Sequence, residues 1–137
     1  MDDLSPRTGA RTRATRKALS KSRLVKSFGF AWAGIAYTWG HEPNFRIEVV
    51  VGVLAVLLAL WLQVSPVPIL IMGAIVLALE IMNSAVEAIV DLASPDIHPL
   101  AKLAKDAAAG AVFLASLIAV LVGLFLMGPE LLKKLGF

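Results

Sequence analysis

From Leu24 the apolar residues return every three or four positions, at Leu24, Phe28, Trp32, Ile35 and Trp39. That step lays them along one face of a helix, and it predicts a helix over residues 23–40, closing near Gly40. The stretch is too polar and too marked by glycine to cross a bilayer. Its aromatics sit on one side and Arg23 and Lys26 off that side, the pattern of a helix lying in the membrane interface. The polar run His41, Glu42, Pro43, Asn44 then predicts a turn. Residues 45–62 carry Arg46 and Glu48 in their opening turn and are apolar from 49 to 62. These eighteen residues, at ~1.5 Å each, cover ~27 Å of a hydrocarbon core ~30 Å thick. The uncharged segment QVSPVP at 63–68 predicts a sharp turn between antiparallel helices. A second span follows at about 67–90, then a loop at 91–98 with the breaker pair Ser94 and Pro95. Pro99 opens a third span at 99–127, in the first helical turn where a missing N–H costs nothing. The fold class is an all-α integral membrane protein, three transmembrane helices preceded by an amphipathic interfacial helix.

The start of the chain has a different character. Residues 1–22 are rich in Arg, Lys, Ser and Thr and poor in large apolar side chains, so they cannot bury enough surface to order themselves. They predict a basic mobile tail resting near anionic headgroups, with residues 23–137 forming a single membrane domain. No compact apolar run follows this basic start, so it does not read as a secretion signal. Composition agrees with the span pattern: 58% of residues are hydrophobic and 17% charged, against about 45–50% and about 25% in soluble domains. Of the thirteen Lys and Arg residues, eight fall within the first 26. Lys102 and Lys105 flank the same membrane side, while the 63–68 turn is uncharged. The positive-inside bias therefore predicts a cytoplasmic N-terminus and a cytoplasmic loop before the third span. There is no cysteine, which leaves no disulfide or thiolate metal site, and an arm tethered to a bilayer is not expected to bind nucleic acid.

The second span carries Glu80, Asn83, Glu87 and Asp91, with Ser84 beside them. At ~100° per residue they occupy a stripe about 80° wide. A carboxylate at mid-helix costs about 2.5–3.5 kcal/mol on insertion scales, so such groups face protein or a water-filled cavity and serve a function. Mere helix pairing would be achieved more cheaply by apolar packing than by buried ions. Three spans with one polar stripe are expected to turn that stripe toward a second copy of the chain. Hard oxygen ligands near the membrane boundary suit Mg²⁺ completed by substrate phosphates, with Glu42 on the same side and Lys105 and Asp106 at the start of the third helix. Metal, cation and proton acceptor together are the ingredients of phosphoryl transfer. No glycine-rich phosphate loop occurs, so a soluble nucleotide-binding fold is excluded. Intramembrane glutamates also serve proton-coupled export, so a small membrane transporter is the alternative, although its usual fourth span is missing. His41 and His98 are isolated and lack metal-ligand spacing.

EIMNSAVEAIVD at 80–91, HPLAKLAKDAAAGAV at 98–112, SFGFAWAG at 27–34 and HEPNFRIE at 41–48 closely resemble the signature of the prokaryotic diacylglycerol kinase family, over roughly residues 23–127. The resemblance implies a homotrimer of three-span subunits with composite sites, and Mg²⁺-dependent transfer of the ATP γ-phosphate to a membrane lipid hydroxyl. Position by position, Glu80 resembles the catalytic base, and Glu42 and Glu87 the metal-binding acids. Asn83, Asp91, Lys105 and Asp106 match positions around the nucleotide phosphates, and Arg46, Glu48 and Arg23 further polar positions of the site. Ala33 and Ala36 depart from the charged residues frequent in relatives, and Phe30 from a tyrosine found in some. Of the family's two branches, the runs HPLAK and KDAAAGAV look closer to the undecaprenol kinases than to the diacylglycerol kinases.

Overall fold

The computed structural model describes residues 21–94, 96 and 98–136, which form four helices and, among the described residues, no strand. These are α1 (Lys21–His41), α2 (Pro43–Trp61), α3 (Val67–Ala93) and α4 (Pro99–Leu135). The basic tail falls outside the described residues up to position 20, and its last two positions already belong to α1. The chain divides into two units, Met1–Ala36 and Tyr37–Phe137. Within the first, the described residues are helical and exposed, with the Ser27 hydroxyl donating to the Arg23 carbonyl at 2.9 Å. The rest of the account concerns the second.

Three helices are long and apolar enough to cross a membrane, α2, α3 and α4. Their outward faces carry large apolar side chains such as Leu57, Leu70, Phe113 and Phe125. In lipid this exposure has no hydrophobic cost, so packing between the helices must come from van der Waals contact and polar groups instead. The most apolar stretch of α3 is 28% buried, against 11% in α2 and 17% in α4, and α3 packs against both of the others. It is the central helix, and it is the one that carries the acidic stripe.

Each boundary has a local cause. The turn predicted at 41–44 shrinks to a single residue: Glu42 is extended (φ −102°, ψ 107°), its N–H bonds the Thr38 carbonyl at 2.8 Å, and Pro43 opens α2 at once. Proline's fixed φ suits the first helical turn, so α2 starts two residues earlier than the predicted span. It ends at Trp61 with Gln63 in the left-handed region (φ 61°) and the Val64 N–H reaching back to the Ala59 carbonyl at 3.0 Å. This is the Schellman closure, normally built on glycine. α3 runs on to Ala93, past the predicted end at residue 90, and takes Asp91 into the helix. The stop comes from Pro95 in the sequence, which pushes the preceding Ser94 out of the α region (φ −141°).

The largest departure is in α4, predicted to end at 127 but helical to Leu135 with Pro129 inside it. An internal proline removes one hydrogen bond and crowds the preceding turn, yet the turns beyond it are tied down. The Lys134 ammonium donates to the Trp61 carbonyl at 2.6 Å and lies over the Trp61 ring, 4.2 Å from its centre. Lys133 pairs with Glu130 at 2.7 Å, and Gly136 closes the helix with φ 86°. At ~1.5 Å per residue α4 is about 55 Å long, well beyond a ~30 Å hydrocarbon core.

Candidate active site

Glu48 lies thirteen residues before the end of α2, and Glu80 thirteen residues after the start of α3. The two helices are joined by a short turn and run antiparallel, so both carboxylates stand about 20 Å from that turn, at one depth. Their charges act on one another. Glu42 and Glu87 lie within electrostatic range of Glu80 as well. Glu42 arrives there because the single-residue break before Pro43 leaves it half-buried at the head of α2.

Glu80 is 2% exposed, Asn83 8% and Ser84 6%. The polar face of α3 therefore points into the helix packing of a single chain. Within one chain α2 and α4, both packed against α3, cover the deepest part of the stripe, and Glu87 and Asp91 stay open. The stripe is organised internally. Asn83 donates its side-chain N–H to Glu87 Oε1 at 3.1 Å, one turn along the helix, and the Ser84 hydroxyl donates to the Glu80 carbonyl oxygen at 3.1 Å. Two buried acceptors, Asn83 Oδ1 and Glu48 Oε2, have no partner among the described residues. Buried polar atoms are almost always satisfied in folded proteins, so both oxygens are suited to receive a donor from outside.

Toward the other end of α3 the site opens. Glu87 is half-buried and Asp91 exposed. Lys105 of α4 reaches Asp91 Oδ1 at 2.6 Å, and the charge of Glu87 acts on the same ammonium. The bridging side chains are 35% and 66% exposed, so the bridge adds little stability. What it does is hold a cation over the mouth of the acidic stripe. Lys102 pairs with Asp106 along α4, both exposed. Arg46 is exposed at the start of α2, and Arg23 belongs to the other unit. The structure thus gathers Glu42, Glu48, Glu80, Asn83, Glu87, Asp91 and Lys105, and leaves Asp106 engaged with Lys102.

One buried polar residue was not anticipated from the sequence. Thr38, 2% exposed, sits one turn before Glu42 and accepts its N–H. The signal was its four-residue spacing from Glu42, hidden among aromatics. Among the described residues no group of three or more His, Cys, Asp or Glu comes together as a metal cage. Mg²⁺ does not need one, since it is commonly held by one or two carboxylates with phosphates and water completing the shell. Glu42 and Glu87, each within electrostatic range of Glu80, are carboxylates of the kind that ion takes.

Four helices among the described residues, three of them long and apolar enough to cross a membrane, and a buried carboxylate on the central one give the architecture of a polytopic membrane protein. Residues 29–127 match the family described as prokaryotic diacylglycerol kinase. The chain is 42% identical over 114 residues to a Synechocystis protein named diacylglycerol kinase, a match covering 80% of this chain and 65% of that protein. It is 37% identical over 109 residues to an Escherichia coli diacylglycerol kinase, covering 77% and 89%, and 35% identical over 113 residues to a Bacillus subtilis undecaprenol kinase, covering 80% and 92%. The chain belongs to the prokaryotic diacylglycerol kinase family, a family of lipid kinases. Relatives of both names match, so the comparisons do not decide between the two lipids, and membership of a kinase family removes the transporter alternative.

Proposed function

We propose that this protein transfers the γ-phosphate of ATP to the hydroxyl of a membrane lipid alcohol, undecaprenol or diacylglycerol, in a bacterial cytoplasmic membrane. The observation that carries the reading is Glu80, a carboxylate 2% exposed within a membrane span and flanked by the charges of Glu42 and Glu87. Mg²⁺, when bound, neutralises phosphate charge and aligns the transferred group. Glu42 and Glu87 would hold it together with the ATP phosphates. Lys105 faces the same phosphates from the start of α4, beside Asp91, with Asp106 one residue on. Asn83 fixes the rotamer of Glu87 through its hydrogen bond. Glu80, about two turns deeper than Glu87, accepts the proton of the lipid hydroxyl as its oxygen attacks the γ-phosphorus and ADP leaves. Arg46, Glu48 and Arg23 are further polar positions of this reading.

The nucleotide then approaches from the cytoplasm, the side of the basic tail, the α1 segment at 23–40 lies in the interface, and the chain assembles as a homotrimer. The exposed small residues at 107–111 of α4 allow close approach of a second copy. Purified protein incubated with radiolabelled ATP, Mg²⁺ and mixed lipids tests the reading. It gives a labelled lipid phosphate, with undecaprenol and diacylglycerol as separate arms, and absence of any labelled lipid contradicts it.

A further inference from the structure

Trp39 ends the apolar stripe of α1, yet its ring is only partly turned outward. It meets the Phe45 ring edge-to-face, with centroids 6.4 Å apart and planes at 88°, an arrangement that aromatic pairs prefer. Phe45 is 4% exposed and Trp39 48%, so the indole lies against a ring that belongs to the helix packing.

Between these two rings the helix breaks. Glu42 is the single residue separating α1 from α2, and Trp39 stands three positions before it and Phe45 three after. The last turn of α1 from Tyr37 onward belongs to the second unit, so both rings lie within that unit. Where the Glu42 carboxylate points depends on how the two helices meet, because side-chain direction follows the backbone. Two backbone features narrow the junction. The Glu42 N–H bonds the Thr38 carbonyl at 2.8 Å, and Pro43 confines the residue before it to extended conformations. That region is still about 100° wide in φ and about 80° in ψ. The Trp39–Phe45 contact ties the two helices side chain to side chain across it.

The carboxylate itself is not engaged by the helix end, since Glu42 occupies the N-cap of α2 without a capping bond from its side chain. His41 beside it is turned back along α1. Its Nδ1–H donates to the Tyr37 carbonyl at 2.9 Å, and its ring stacks on Tyr37 with centroids 4.1 Å apart. Glu42, by contrast, is half-buried and within electrostatic range of Glu80.

Resting on the reading of Glu42 as a metal-holding acid, we propose that Trp39 and Phe45 form one brace that positions the Glu42 carboxylate for Mg²⁺ and the ATP phosphates. The pair acts through Glu42: it fixes the angle of the junction, and with it the place of Glu42 relative to Glu87. A slack junction leaves the fold and the Glu80 base intact and weakens the hold on the metal.

Trp39→Leu removes the brace at a half-exposed position, Phe45→Leu removes it from the other side, and Trp39→Phe keeps an aromatic ring. Calorimetry gives Kd for the magnesium complex of β,γ-methylene-ATP, a non-hydrolysable analogue. Lipid phosphorylation at varied Mg²⁺ gives the half-maximal concentration and kcat, with Glu42→Gln measured beside the others. Trp39→Leu is expected to raise both Kd and the half-maximal Mg²⁺ concentration about tenfold, the low end of the effect of losing a group that orients a metal ligand. Its kcat at saturating Mg²⁺ stays near wild type, which also shows that it folds. Trp39→Phe keeps wild-type values. The double variant Trp39→Leu/Phe45→Leu binds no more weakly than either single one, because a contact between two partners is lost only once. Should Phe45→Leu fail to fold, the Trp39 variants decide alone. Unchanged binding in Trp39→Leu where Glu42→Gln weakens it overturns the brace and leaves the metal assignment standing. Additive losses in the double variant, or no rescue by Trp39→Phe, overturn it as well. Wild-type binding in Glu42→Gln defeats the reading of Glu42 itself, and the brace with it.

Discussion

Glu80 and Glu87 share one face of one helix, seven residues apart, and their surroundings separate them. Glu80 is enclosed; Glu87 is half-buried, bonded to Asn83 and close to the Lys105 ammonium. A carboxylate in the second setting suits a hydrated metal and phosphates, and one in the first suits proton transfer, because a general base must lie within reach of its proton in a site that excludes water. Glu87→Gln is therefore expected to raise the Mg²⁺ concentration for half-maximal activity and to weaken MgATP binding by about tenfold, on the order of the cost of losing a ligand's partner, with the protein still folded. Titration of Mg²⁺ at fixed ATP checks it, and an unchanged metal requirement contradicts the assignment. These acids were legible in the sequence because a charge inside an apolar helix is conspicuous. Thr38 was not, since a neutral hydroxyl among Tyr37, Trp39 and their neighbours leaves no trace in a hydrophobicity pattern. Nor could the pattern show that Asp106 turns to Lys102 while Lys105 turns to Asp91, a choice made by the packing of α4 on α3.

At the scale of elements, the three spans were readable from run length alone, and the errors fall at their ends. Apolar periodicity marks the part of a helix in lipid and is silent about the turns that project beyond it. Hence α3 gains residues 91–93, and α4 continues through Pro129. The continuation depends on a partner 73 positions away in sequence, the Trp61 carbonyl, which no local pattern reveals. Lys134 contributes there a charge-assisted hydrogen bond and a cation–π contact, together about 2 kcal/mol by typical values. Lys134→Ala is expected to lower the thermal midpoint in detergent by roughly 5–12 °C on the usual scaling, and to loosen the last turns of α4 in hydrogen exchange while α3 stays protected. Unchanged exchange beyond Pro129 would show that the clasp does not hold the helix.

Across the second unit, the hairpin of α2 and α3 brings Glu48 and Glu80 to one depth, and α4 packs against α3 and brings Lys105 to the open end. Burial of Glu80 and Asn83 within a single chain was not foreseen from the sequence, because three apolar runs do not reveal how far neighbouring helices cover one polar face. In the proposed reading ATP arrives from the side that charge bias assigns to the cytoplasm, and the absence of cysteine makes that assignment directly measurable. Ser65→Cys and Ser94→Cys, labelled with an impermeant thiol reagent in oriented vesicles, are expected to react from opposite faces, Ser94→Cys from the cytoplasmic one. Reaction from a single face contradicts a cytoplasmic nucleotide site. The central claim is that a buried glutamate in a membrane span takes the proton of a lipid hydroxyl, and Glu80→Gln keeps the shape and hydrogen bonding of that side chain while removing the base. Measured on the lipid that wild type phosphorylates, Glu80→Gln is expected to lower kcat by about 10² or more, the usual contribution of a general base, with MgATP affinity near wild type. A Glu80→Gln protein that keeps its turnover is not using Glu80 as the base.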